Sequence, residues 1–410
     1  MSLRSKAKVP ADKITPALAR ALTKSLPGQP LPVIVRFRQK AAMRADLVAD
    51  LAVTYAYTLL PAVALQASAQ RIQALTQDPD VDTVWLDLPV HTCLDVSVPL
   101  LGVPKVWATG IQGRGIMIGV VDTGVDASHP DLAGRVAATQ DFTGEGFSDG
   151  HGHGTHVCSI AAGSGMASSG KYVGVAPEAT LLVAKVLRAS GSGMTSDVMA
   201  GVEWAVNQKA QVINLSLGAT GPCDGSDALS ATCDAAWQRG VVVCVAAGNE
   251  GPGSGTVGSP GCAHKVITVG ATDDQDAVAS FSARGPTLDG RQKPDICFPG
   301  VGIVAARAKG TVMGSPLDEH YTSASGTSMA TPHASGAVAL MLAAYPKDTP
   351  DQIKARLMET AKNLGLAGNV QGAGRADVAR VFGLGGDDGS PPPSPRPGCA
   401  LGLLAALLGR

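Results

Sequence analysis

Gly326-Thr327-Ser328-Met329-Ala330 lies inside the run Tyr321-Thr322-Ser323-Ala324-Ser325-Gly326-Thr327-Ser328-Met329-Ala330-Thr331-Pro332-His333-Ala334-Ser335-Gly336, where small residues crowd one serine. An apolar stretch, residues 337–344, follows, and a proline stands at 332. Proline is tolerated in the first turn of a helix, where its missing N–H costs nothing. The run therefore predicts a helix starting at Ser328, with the serine oxygen near unpaired backbone N–H groups and the positive end of the helix dipole. That environment favours negative charge developing beside the serine, as acyl transfer requires. An ordinary helix-capping serine gives the same local pattern, so the choice depends on the rest of the chain.

The chain has 410 residues, enough for a large core plus a smaller unit. Hydrophobic residues make up 45% and charged residues 16%, the balance of a globular protein with a sparsely charged surface. The 50 glycines exceed the usual share of about 7% and point to many tight turns. A net charge of -1 removes any electrostatic case for a nucleic acid or an anionic membrane as partner. No tandem repeat is present. Eight cysteines (Cys93, Cys158, Cys223, Cys233, Cys244, Cys262, Cys297 and Cys399) contain no C-x-x-C pair, which argues against a zinc ribbon. Cys223 and Cys233 flank a short polar loop and are candidates for a disulfide; Cys244, in an apolar run, reads as a small core residue. Free thiols throughout are the alternative. Residues 1–11 are basic and polar with no apolar h-region, so no secretory signal is expected there.

Residues 1–30 read as a polar lead-in. Periodicity then predicts strands at 31–37, 54–60 and 81–86 and helices at 42–52 and 67–76, a small α+β module spanning 31–92. A polar connector, 88–99, punctuated by proline, follows and is exposed enough to be cut. From Gly115 onward, short β-branched runs at 116–121, 181–187, 212–216, 241–246 and 266–269 alternate with helix patterns that include 196–208 and 228–239. This alternation predicts an α/β fold, a parallel sheet flanked by helices, over 93–384. Ligands of such sheets bind beyond the carboxyl ends of the strands. Residues 385–410 form a proline-rich linker and a short apolar tail. Nine apolar residues, 400–408, cannot span a bilayer, which needs about 20. The tail is either a docked or frayed end, or a sorting signal that resembles the cysteine-centred sortase-type tails.

Chemistry-bearing residues gather where strands end or helices begin. Asp122-Thr123-Gly124 follows the first strand of the large domain. His153 lies in Asp149-Gly150-His151-Gly152-His153-Gly154-Thr155-His156, ahead of a small-residue helix. Ser216-Leu217-Gly218 and Ala247-Gly248-Asn249-Glu250 follow two further strands, and Ser328 completes the set. An acid, a histidine, an amide and a serine are the parts that serine-nucleophile chemistry needs. The order Asp, His, Ser along the chain is that of subtilisin. The motifs match too: Asp122-Thr123-Gly124, His153-Gly154-Thr155-His156, Ser216-Leu217-Gly218, Ala247-Gly248-Asn249 and Gly326-Thr327-Ser328-Met329-Ala330. From about Val96 to Phe382 the chain resembles the subtilisin-like serine proteases (subtilases).

The resemblance implies a serine endopeptidase with Asp122, His153 and Ser328 as catalytic residues and Asn249 in the oxyanion hole. It implies that Gly191-Ser192-Gly193 and Ser216-Leu217-Gly218 flank an extended peptide. It also implies a side-chain pocket at Ala247, Gly248 and Gly258, with Glu250 at the rim. The 31–92 module is similar to the subtilisin propeptide, a ferredoxin-like inhibitor and chaperone that the enzyme removes. Polypeptide substrates and the chain's own propeptide are the implied partners, and a monomer is expected, outside the cell or at its surface, with the cytoplasm as the alternative. No cofactor is expected. Family members often bind calcium through an aspartate, here Asp131, and the loop after the histidine helix. In this chain that loop, 164–172, lacks the acid and amide side chains calcium favours. His151, His153 and His156 do not read as a metal cluster, since no carboxylate sits at metalloprotease spacing. His156 reads as a packing or supporting histidine, His129 and Asp295 as structural, and Asp126 as a turn residue. The competing reading is a catalytically silent subtilase fold that serves binding.

Overall fold

The computed structural model describes residues 13–26, 28–39, 47–48, 50–56, 61–86 and 94–385. Two compact units divide the chain between His91 and Thr92. In the first, α1 (Pro16–Lys24) precedes β1 (Pro30–Phe37), β2 (Val53–Ala56), β3 (Ala62–Ser68), α2 (Ala69–Gln77) and β4 (Val81–Leu86). The sheet is antiparallel, in the order β2-β3-β1-β4. Along β1, Val33, Val35 and Phe37 point inward at every second position and are buried, the period that one covered sheet face imposes. Three sequence expectations change here. The lead-in contains α1, whose buried Leu18 joins this core. β3 was not expected, and its last residue, Ser68, caps α2 by accepting from Arg71 N, so that helix starts at Ala69 rather than 67. The expected helix 42–52 and the end of the expected strand 54–60 fall largely outside the described residues.

The second unit opens with α3 (Leu94–Leu100) and α4 (Val103–Trp107). The expected open connector, 88–99, is therefore helical from Leu94 onward. Leu94 and Val98 are buried in the main core, and Ser97 Oγ bonds His333 Nε2 at 2.8 Å. There follow β5 (Met117–Asp122), β6 (Val136–Asp141), α5 (His153–Ala162), β7 (Thr180–Lys185), α6 (Thr195–Asn207), β8 (Val212–Leu215), α7 (Ala228–Gln238), β9 (Val242–Ala246), β10 (Ile267–Thr272) and β11 (Ile296–Pro299). These seven strands form a parallel sheet in the order β11-β10-β9-β8-β5-β7-β6. Strands covered on both faces read as continuous apolar runs, and β8, β9 and β10 are buried at every residue. β6 lies at the edge and alternates half-buried with exposed positions, which left it without a run to read. A small antiparallel sheet of β12 (Ile303–Ala306), β13 (Ser315–Pro316) and β14 (Tyr321–Ala324) leads into α8 (Thr327–Ala344) and then α9 (Pro350–Glu359).

α8 packs against α5 and against β5, β8, β9, β10 and β11. From Met329 to Met341 every residue is buried, as expected of a helix apolar on all sides. Gly336 lets it approach the chain at Val175, where a Cβ would stand 2.6 Å from the valine Cβ. β5 lies mid-sheet, and the chain crosses from β7 on one side of it to β8 on the other. That crossing is a topological switch point, the usual place for a site in an open parallel sheet.

Candidate active site

Asp122 is the last residue of β5 and fully buried. Its Oδ1 accepts from Thr123 N (2.7 Å) and stands 2.7 Å from His153 Nδ1. His153 is the first residue of α5; Gly152 before it has φ +104°, a turn that suits glycine. Behind this pair lies Asp149, whose role the sequence reading missed. Its Oδ1 accepts from Thr123 Oγ1, His151 N and Gly152 N, and its Oδ2 from Thr155 N and Oγ1. Thr123 Oγ1 in turn accepts from Gly154 N. The two carboxylates thus lock the end of β5 to the start of α5. Burial pushes the His153 imidazole down, but the charge and hydrogen bond of Asp122 and the charge of Asp149 outweigh it and hold its pKa above 6.5. The Asp149-Gly150 pair ahead of the helix was a readable turn signal.

Ser328 is the second residue of α8. Pro332, however, is the sixth, beyond the first turn, so the helix starts where expected for a different reason. Backbone–side-chain contacts from Gly248 and Asn249 fix this end: Asn249 Oδ1 accepts from Thr327 N (2.9 Å) and Thr327 Oγ1 (3.0 Å). That leaves the exposed Asn249 Nδ2 to donate. Ser328 Oγ donates to the Ser216 carbonyl (2.9 Å), and Ser216 Oγ donates to the Ser328 carbonyl (2.8 Å).

His151, His153, Gly191, Ser192, Gly193, Ser216, Leu217 and Gly218 line one cleft of about 660 Å³. A smaller cavity lined by Ala247, Gly248, Asn249, Glu250, Gly258 and Ser328 adjoins it, sharing Leu217, Gly218, Ala219 and Ser259. All the expected site residues except Asp122, which is fully buried behind His153, therefore line this rim. At Gly258 a Cβ would stand 2.1 Å from Ala219 O. The missing side chain admits the neighbouring backbone rather than leaving room for a ligand.

The supporting residues separate from the site as read. His156 is buried, its Nε2 at the carbonyls of Ile303 and Thr322, and burial lowers its pKa to about 3. His129 Nε2 bonds His320 O, Asp126 caps its own turn at Ser128, and Asp295 pairs with Lys293 and Lys354. Asp131 turns its two oxygens to Ala167 N and Tyr321 Oη, both at 2.8 Å. Donors at both oxygens, with no acid or amide side chain in 164–172, do not fit calcium. The expected Cys223–Cys233 bridge is replaced by Cys223–Cys262: α7 turns Cys233 into the core, where it is fully buried. Cys244 is a buried free thiol, as read.

Fold and site define a serine hydrolase built on a parallel sheet. Residues 113–385 match the subtilase family, and the chain belongs to it. It is 40% identical over 331 residues to serine protease AprX of Bacillus subtilis (strain 168), covering 74% of this chain and 75% of that protein. It is 41% identical over 273 residues to subtilisin DY of Bacillus licheniformis, covering 66% of this chain and 92% of that one. Subtilisin E of Bacillus subtilis (strain 168) is 36% identical over 346 residues, or 81% and 85% of the two chains. The protein is a serine-type endopeptidase. Among the described residues no helix is long and apolar enough to cross a membrane.

Proposed function

We propose that the protein hydrolyses peptide bonds through an acyl-enzyme, with Ser328 as nucleophile, His153 as general base and then acid, and Asp122 as the group that orients the imidazole. The observation carrying this reading is the 2.7 Å contact of His153 Nδ1 with Asp122 Oδ1 at the rim of the cleft. It holds the proton on Nδ1 and leaves Nε2 to take one. Ser328 Oγ turns from Ser216 O to the imidazole and attacks the scissile carbonyl. The new oxyanion receives hydrogen bonds from Asn249 Nδ2 and Ser328 N. His153 then protonates the leaving amine, and water repeats the sequence on the ester. A peptide lies extended between 191–193 and 216–218 as an added strand. The smaller cavity, walled in part by Leu217, Ala246 and Ala247, takes an apolar side chain, with Glu250 at its rim able to accept lysine.

Residues 31–92, extended by α1, act as a propeptide that the enzyme removes from itself. Because α3 is packed into the core from Leu94, the cut falls within 87–93, which lie outside the described residues, as does the expected sorting tail. The mature enzyme works as a monomer outside the cell or at its surface and needs no calcium at Asp131. Ser328→Ala is expected to abolish hydrolysis with the fold intact, and a fluorophosphonate is expected to label wild type and not this variant. A folded wild type that takes no label would instead favour the silent fold, held by the Ser328 Oγ bond to Ser216 O.

A further inference from the structure

Pro332 stands sixth in α8. A helix carbonyl normally accepts from the N–H four residues on, and proline has none, so the Ser328 carbonyl gets no such donor. Ser216 Oγ, just past the end of β8, reaches that carbonyl at 2.8 Å. The hydroxyl is itself held: Asn214 Nδ2 donates to it at 3.0 Å, and Asn214 Oδ1 accepts from Ser335 Oγ at 2.9 Å, back on α8. Asn214 and Ser335 are fully buried and Ser216 is 2% exposed. Because Asn214 fills an acceptor position of the hydroxyl, the one hydroxyl proton is aimed at Ser328 O.

We propose that Ser216 and Asn214 are positioning residues for the nucleophile, supplying the hydrogen bond that Pro332 withholds from the Ser328 carbonyl. The inference rests on Ser328 being the nucleophile. At rest, β8 and α8 are clasped twice, by Ser216 Oγ to Ser328 O and by Ser328 Oγ to Ser216 O. When Ser328 Oγ turns to His153, the second bond is lost. The first then holds the start of α8, and with it Ser328 N, in register with the cleft. Misplacement of a reacting group is felt in the chemical step. The loss of this clasp therefore falls on kcat, while the backbone that binds substrate at 216–218 is unchanged.

The test is Ser216→Ala, assayed on the full chain with active sites titrated. Turnover per site and the rate of fluorophosphonate labelling are each expected to fall about tenfold, the scale of leaving one buried acceptor unpaired, with KM little changed. Ser216→Thr keeps the hydroxyl and should restore turnover. So should Pro332→Ala added to Ser216→Ala, because the backbone N–H that alanine brings to this position can then serve the Ser328 carbonyl. A Ser216→Ala enzyme that turns over like wild type per titrated site, even with a lowered Tm, would overturn the inference, as would failure of both rescues. If Ser216→Ala does not accumulate as folded protein, Ser216→Cys, a weaker donor at the same place, is expected to be slowed by less; an unslowed Ser216→Cys overturns the inference. Ser328→Ala run alongside separates the two claims: turnover in that variant sinks the nucleophile itself, whereas a dead Ser328→Ala beside an unaffected Ser216→Ala sinks only the clasp.

Discussion

Two carboxylates act on one imidazole. Asp122 touches His153 directly, and Asp149 acts through its charge and through the turn it caps. A general base works only when neutral, so kcat/KM should rise with pH as His153 loses its proton. The midpoint should lie above the ordinary histidine value of about 6.5 because the folded-state pKa is raised. Asp149→Asn removes one negative charge that favours the imidazolium. Its pH–kcat/KM profile should shift to lower pH, and an unmoved midpoint would show that Asp149 serves only the turn. Asn249→Leu should lower kcat by about 10² to 10³ with KM little changed, the loss measured for the oxyanion asparagine of subtilisin. An unaltered kcat would place the donor elsewhere.

At the level of elements, two walls of the small cavity come from loops that one disulfide joins. Cys223 follows the 217–219 wall and Cys262 follows the 258–259 wall. Their backbones already meet at Ala219 N and Ser259 O, 2.8 Å apart. Beneath them Cys262 packs with Ala247, Val257 and Ala283. The bridge spans a separation of 39 residues, and on a chain-entropy basis that closure contributes about 4 kcal/mol. Cys262→Ser should therefore lower the denaturant midpoint strongly. The comparison belongs in a Ser328→Ala background, where self-digestion of the unfolded chain cannot intervene. Stability equal to the parent would mean that the bridge does not form in solution.

For the whole molecule, the question is how a protease folds without digesting itself. A tethered module presents its own connector at high effective concentration, so even a poor sequence can be cut. Ser328→Ala should stay at full length, while wild type should release an N-terminal fragment that ends within 87–93. The new N-terminus, read by mass spectrometry, should lie no later than Leu94, because α3 is held in the core by Leu94, Val98 and the Ser97–His333 hydrogen bond. An uncut yet active wild type would make the module an ordinary accessory domain.

The amino-acid sequence alone determined what depends on neighbours along the chain. The β-branched runs that are buried on both faces, the helix that begins beside Ser328, and the Asp122, His153, Asn249 and Ser328 motifs were all legible. Each is a local pattern of volume, polarity or backbone freedom. Tertiary structure decided what depends on residues far apart in sequence. Cys223 pairs with Cys262 because α7 turns Cys233 away. Gly258 is glycine because Ala219 O occupies the space of a Cβ. α1 belongs to the first module because Leu18 finds its core there. Asp149 and Ser216 matter for what they hold, the turn before His153 and the carbonyl that Pro332 leaves without its donor. A hydrogen bond between the end of β8 and the start of α8 joins residues 112 apart, and no periodicity along the chain encodes it. Only the packed sheet brings such groups within reach.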